Sequence, residues 1–191
     1  MARCAAEIRP LSMGPNLKAA PNSTAAAVAA LCPQCGLCCN GVLFGEVELQ
    51  SGDNARRLRS LGVELFRKGR KPAIHQPCSC LVNGLCRIYA DRPARCRTFD
   101  CGLVKRVASG KLETDDALKS ITAARHEVKS ITQLVQQLGP DDASLPLKER
   151  CAAAMVQPVD LASGAKHLRA QGRLLRAVAR LSTRLERDFL T

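Results

Sequence analysis

The sequence predicts a mainly α-helical fold whose first half is irregular, built from metal-stabilised cysteine-rich loops with a small α+β content. Three observations carry that expectation. Eleven cysteines occur in 191 residues, most of them crowded between Cys32 and Cys101. Aromatic residues make up only 3%, with no Trp, so large side chains add little to a core and something must supplement it. From Ala117 onwards apolar residues recur at helical spacing. A chain of this length is expected to form one core, or a domain with an appendage, rather than two large domains.

Cysteine at this density reads either as a disulfide scaffold in an oxidising compartment or as metal ligation in a reducing one. A secretory signal requires a continuous apolar stretch of about 7 to 15 residues and a small-residue cleavage site. The run Ala25 to Leu31 is short and alanine-rich, and Leu31 stands where a lipoprotein signal wants a small residue. A cytoplasmic protein with reduced thiols is therefore expected. The odd cysteine count and the adjacent pair Cys38 and Cys39 weigh the same way, because bridging neighbours strains the peptide between them. No segment reaches the roughly 18 consecutive apolar residues of a membrane span. The net charge of +12 permits attraction to nucleic acid, anionic lipid or an acidic protein. Metal-bound thiolates lie outside that sum and would offset part of it.

In chain order, residues 1–31 are expected to be a disordered arm with one short helical turn near Ala25, and Cys4 an ordinary thiol. Residues 32–110 form the cysteine-cluster domain. Within it, Val42-Leu43-Phe44 and Val47-Glu48-Leu49 are expected as short extended pieces, and Ser51 as N-cap of a helix through Leu61, stopped by Gly62. Arg67 to Lys71 reads as a basic, glycine-interrupted loop. Turns at Asn83-Gly84 and Arg92-Pro93 make the stretch from Pro77 to Cys101 better suited to a loop wrapped round an ion than to a helix. Residues 111–191 form a helical region. Thr114, Asp115 and Asp116 open a helix that runs to the Gly139-Pro140 stop. A shorter helix covers Leu147 to Val156. The last runs from Asp160 to Phe189, with Leu168, Leu174, Leu175, Val178, Leu181, Leu185 and Phe189 along one face.

The first cysteine group is Cys32-Pro-Gln-Cys35-Gly-Leu-Cys38-Cys39, and the second is Cys78, Cys80, Cys86, Cys96 and Cys101. Two thiols two residues apart can turn inward on one tight loop and bind the same ion. Gly36 and Gly41 supply the permissive backbone such a loop needs. Neither group completes a familiar closed set, so both are expected to contribute to shared sites. Arg87, Arg92, Arg95 and Arg97, interleaved with the second group, are expected to hold thiolate character and balance charge, at least two of them directly. His75, three residues before Cys78, is expected to be an ordinary loop histidine, and His126 and His167 structural. No nucleophile–base–acid set, phosphate-binding glycine loop or dinucleotide fingerprint is recognisable.

The combination Cys32-x2-Cys35-x2-Cys38-Cys39, Leu81, Gly84, Cys86-x-Ile88-Tyr89, Arg92-Pro93, Cys96-Arg97, Phe99 and Cys101 resembles the bacterial CxxCxxCC family of zinc- or iron-chelating domains. The resemblance covers about residues 32–101. It implies the ligand set Cys32, Cys35, Cys38, Cys39, Cys78, Cys86, Cys96 and Cys101. Cys80 falls where the family has an apolar residue and stands as an additional candidate. Eight ligands allow two four-cysteine zinc sites, or one cluster and one mononuclear site. Structural zinc contributes folding free energy of about 10 kcal/mol or more. The Cys-x2-Cys-x2-Cys run favours an iron–sulfur cluster, although the spacing does not continue as x3-Cys-Pro.

The expected function is thus metal binding, through zinc or an iron–sulfur cluster. Two rivals stand beside it: an iron–sulfur-dependent redox or group-transfer enzyme, and a basic adaptor whose zinc is structural. The adaptor would use Lys166, Arg169, Arg173, Arg176, Arg180, Arg184 and Arg187, a basic stripe on the last helix, to meet nucleic acid or an acidic partner. No aromatic residue interleaves that stripe for base stacking. The C-terminal helices are also a candidate surface for a protein partner.

Overall fold

The computed structural model describes residues 23–156 and 164–191. Among these, the protein is mainly α-helical, with a three-stranded sheet and a two-stranded hairpin confined to the first half. Cys4 and the expected helix start at Asp160 lie outside the described residues. No described helix is long and apolar enough to cross a membrane.

The alanine-rich stretch does more than make one turn. It forms α1, Thr24–Cys35, so the chain expected as a disordered arm is ordered from Ser23 onwards. Ser23 Oγ accepts the Ala26 N–H at 3.2 Å and caps it, and alanine's high helix propensity extends it. Ala27 and Leu31 are buried, and the helix stops at Gly36 with φ 71°, a left-handed backbone that glycine adopts without a Cβ penalty.

Four local expectations are corrected. Val42 and Leu43 form bends and Phe44 is irregular, whereas the second expected extended piece is present as β1, Glu46–Glu48. Asn54, not Ser51, caps α2 (Ala55–Ser60), its side chain accepting the Arg57 N–H at 2.9 Å. The basic segment around Gly69 is a hairpin: β2 (Leu65–Lys68) and β3 (Lys71–His75) pair antiparallel, and β1 adds to the other side of β3 with Val47 opposite Ile74. Its strand character was masked because only Ala73 and Ile74 of β3 are buried, while charged residues and Pro72 occupy the rest. Finally, a short helix α3, Ala94–Thr98, stands where a loop was expected. The turn at Asn83-Gly84 is present, both residues taking positive φ (51° and 80°), and it joins β4 (Leu81–Val82) to β5 (Leu85–Cys86).

The second half follows its periodicity. A helix that was not expected, α4, Gly102–Ala108, stands before it, and α5, Thr114–Leu138, has Asp115 and Asp116 in its first turn and Gly139 at its end. Helix α6 is Leu147–Met155, and α7, Gly164–Leu185, continues into a π-helical turn, Glu186–Leu190. The buried register of α7 is Ala170, Leu174, Ala177 and Leu181. Leu168 and Leu175, expected on that face, are 63% and 56% exposed, since each residue step rotates about 100° around a helix.

Two hydrophobic cores result. The larger gathers Leu31, Leu37, Leu103, Ile131, Leu174 and Phe189, so helices on both sides of residue 110 share it. Burying each such side chain contributes about 1.5 to 3 kcal/mol. The smaller lies against the sheet and holds Val47, Leu49, Leu58, Val63, Ile74, Cys80 and Ile88.

The π-helical turn packs on the start of α4. A Cβ on Gly102 would lie 2.7 Å from the Asp188 carbonyl oxygen and collide with that of Thr191. Asp188 is buried, and Arg187 donates to its carboxylate at 2.8 and 2.9 Å, holding its pKa below the usual carboxylate value. Gly102→Ala is therefore expected to lower unfolding free energy by about 1 to 3 kcal/mol in denaturant titration. Because Asp188 ionises more readily folded than unfolded, its contribution is present above the ordinary carboxylate pKa and is lost as pH falls. Asp188→Asn should lower stability at pH 7 and leave a shallower loss between pH 5 and 3, read by thermal melts across that range.

Candidate metal centre

The described residues include ten cysteines, all of them free thiols. Cys32 and Cys35 sit in the last turns of α1, and Cys38 and Cys39 follow on the turn that Gly36 opens. There the Cys39 and Asn40 N–H groups both donate to the Gly36 carbonyl, at 3.0 and 3.1 Å. Cys86 lies at the end of β5, Cys96 rides on α3, and Cys101 is the N-cap residue of α4. The fold brings the two separated cysteine groups together through two ties, and a third bond fixes the first group to α6. The Cys78 N–H donates to the Cys39 carbonyl at 2.8 Å, and Phe44 meets Phe99 edge-on at 5.0 Å. The Leu147 N–H at the head of α6 donates to the Gly41 carbonyl at 3.0 Å; Gly41 (φ 78°) permits that approach, since a Cβ there would lie 3.0 Å from Pro146 Cα.

All eight of these predicted ligands are half-buried. Loss of water disfavours the thiolate. It pushes Cys32, Cys35, Cys78 and Cys96 up to about 11 and Cys39 up to about 12, and it raises Cys38 and Cys86 too. Mutual repulsion adds to this. Cys101 raises Cys32, Cys35 and Cys38, while Cys86 raises Cys39, Cys78 and Cys96. Backbone N–H groups two residues further on oppose it, from Leu37 to Cys35, from Ile88 to Cys86, and from Cys80 to Cys78 Sγ at 3.4 Å.

Arginine charge opposes it as well. Arg92 lowers Cys32, Cys39, Cys86 and Cys96. Its position is fixed, with Nε donating to the Tyr89 carbonyl at 2.9 Å and the guanidinium 3.6 Å above the Tyr89 ring. The other expected arginines, Arg87, Arg95 and Arg97, are exposed. The second cation is one that sequence reasoning missed: Arg125 of α5, which lowers Cys35 and donates to the Gln34 carbonyl, inside the Cys-x2-Cys turn, at 2.6 Å. Ninety-one residues separate that pair, and no local pattern announces it. Asp53 was also missed. It accepts from the Gln50 and Ala94 N–H groups, each at 2.8 Å, and so anchors the helix that carries Cys96.

Cys80 is fully buried in the smaller core, with Sγ 3.8 Å from the Leu61 carbonyl. His75 stacks on Phe66 at 3.6 Å, His126 is exposed on α5, and His167 Nε2 is buried without a partner. The basic stripe is partly engaged by neighbouring side chains: Arg184 holds Glu127 with two bonds of 2.9 and 3.0 Å, the exposed Arg187 holds Asp188, and the exposed Arg173 reaches Gln137.

Among the described residues, no group of three or more His, Cys, Asp or Glu side chains is set to hold an ion as it stands. The donor chemistry nevertheless fits a thiophilic metal, because sulfur dominates and soft thiolates select zinc and iron–sulfur clusters. One family model matches, CxxCxxCC, described as a "Putative zinc- or iron-chelating domain", over residues 31–136. That span exceeds half of the chain and reaches through most of α5, the helix that supplies Arg125. Neither the curated proteins nor the solved structures contain a match. Removing a fixed charge beside thiolates acts like loss of an outer-shell partner, so Arg92→Ala should weaken metal binding about 10-fold in chelator competition, with Arg92→Lys recovering part of it.

Proposed function

The chain belongs to the CxxCxxCC family, whose domain is described as zinc- or iron-chelating, and on that premise we propose that it binds metal through Cys32, Cys35, Cys38, Cys39, Cys78, Cys86, Cys96 and Cys101. The observation that carries this reading is the gathering of eight unpaired, half-buried thiols from separate elements, where burial and mutual repulsion penalise the thiolates of Cys32, Cys35, Cys38, Cys39, Cys78, Cys86 and Cys96. A bound cation relieves that penalty. Side-chain rotation is left to close the sulfurs round it.

Zinc held by four thiolates staples a fold, and an iron–sulfur cluster adds redox capacity. Either supplies what the smaller core lacks, since its seven buried side chains include no aromatic ring. Cys80, whose thiol is engaged with the Leu61 carbonyl, serves that core rather than the metal. Reduced thiols require a reducing compartment, of which the cytoplasm is the common one.

Anaerobic purification with metal and acid-labile sulfide analysis and a visible spectrum tests this reading. Colour with labile sulfide identifies a cluster, colourless protein with stoichiometric zinc identifies a structural ion, and a chain without stoichiometric metal refutes chelation. Proton linkage gives a second expectation. Thiols raised from an ordinary value of 9.0 to about 11 are protonated near neutrality, so metal must displace protons and its affinity rises with pH. In the metal-free chain the unfolded thiols ionise first. The stability carried by the buried neutral thiols is then complete below pH 9 and disappears as pH climbs towards 11, which chemical denaturation at several pH values reads directly.

A further inference from the structure

We infer that the eight cysteines form two separate four-thiolate sites, Cys32, Cys35, Cys38 and Cys101 in one and Cys39, Cys78, Cys86 and Cys96 in the other, with the chain crossing between them at the Cys38–Cys39 peptide. This rests on the chelating reading above and assigns its sites.

Packing sorts the sulfurs first. Cys32, Cys35 and Cys101 pack against the larger, helical core, whereas Cys78, Cys86 and Cys96 pack against the smaller core beside the sheet. Helices α1 and α4 lie against one another, so the end of one meets the N-cap residue of the other. Three thiols on each side is one short of a closed tetrahedral set.

The adjacent pair supplies the fourth on each side. Cys38 directly follows Leu37, a fully buried member of the larger core against which Cys32, Cys35 and Cys101 pack, and among the cysteines outside its chain neighbour it feels those three. Cys39 feels Cys96 and Cys86 most among the cysteines, and its carbonyl is tied to the Cys78 N–H at 2.8 Å. Its weaker interaction with Cys35 crosses between sets, as does that between the adjacent Cys38 and Cys39, as expected where the two sites adjoin. Each set also contains N–H groups directed at sulfur, at Cys35 in the first and at Cys78 and Cys86 in the second. Adjacent cysteines thus perform different tasks: Cys38 helps bind α1 to α4, and Cys39 binds the same turn to the β4–β5 hairpin and α3.

The test compares Cys38→Ser with Cys39→Ser in the full chain, purified anaerobically. Each is expected to lose about half of the bound metal. In Cys38→Ser the thiols of Cys32, Cys35 and Cys101 should become open to alkylation, and in Cys39→Ser those of Cys78, Cys86 and Cys96, mapped by mass spectrometry. The double variant Cys32→Ser/Cys101→Ser should lose no more metal than either single change, whereas Cys32→Ser/Cys96→Ser should lose nearly all. A wild-type experiment guards against variants that fail to fold. During stepwise removal of metal by a chelator, pulsed alkylation should expose the eight thiols in two groups of four. Metal present in stoichiometric amount but released with all eight thiols exposed together, or in groups that mix the two sets, overturns the partition while leaving chelation intact. Wild-type protein without metal would instead remove the premise itself.

Discussion

Sulfur held away from water in several copies is the constraint on which this molecule turns. A single buried thiol is a tolerable small hydrophobe. Several close together, each made costly to ionise by burial and by its neighbours, are a different matter. Three arrangements surround them: amide groups two residues along the chain, a guanidinium clamped on Tyr89, and another arriving from α5. All three favour negative sulfur. That combination of shielding from water with support for charge is what a thiolate-bound cation requires.

The two cores show what the cysteines accomplish mechanically. Helices α1, α4, α5, α6 and α7 bury enough leucine, isoleucine and valine to pack in the ordinary way. The sheet and hairpins cannot, having short strands and seven buried side chains, one of which is a cysteine. The cysteine-bearing turn after α1 lies between them and is held by backbone bonds from Cys78 and Leu147. The metal cross-links proposed at that position would secure the weaker half to the stronger.

Legibility followed the range of the interactions. Helix α5 could be read because its apolar register is regular for seven turns and its ends carry their own signals, Asp115 and Asp116 at one and Gly139 at the other. The Asn83-Gly84 turn was equally plain, since left-handed backbone at both positions is a local demand. The β2–β3 hairpin was not, because strands with few buried residues leave almost no alternation to detect. Helix α1 was underestimated because alanine carries little hydrophobic contrast even where Ala27 and Leu31 are buried. The cysteines were conspicuous as a set, but Arg125 and Asp53 act across 91 and 41 residues of chain, which no spacing rule spans.

The bond from Arg125 to the Gln34 carbonyl ties a 25-residue helix to a four-residue cysteine turn. A slip of α5 by one residue translates it about 1.5 Å and rotates it about 100°, enough to withdraw the guanidinium from its acceptor. Register of the helical half is consequently linked to the charge around Cys35, so that displacing the long helix removes one of the groups that favour negative sulfur there.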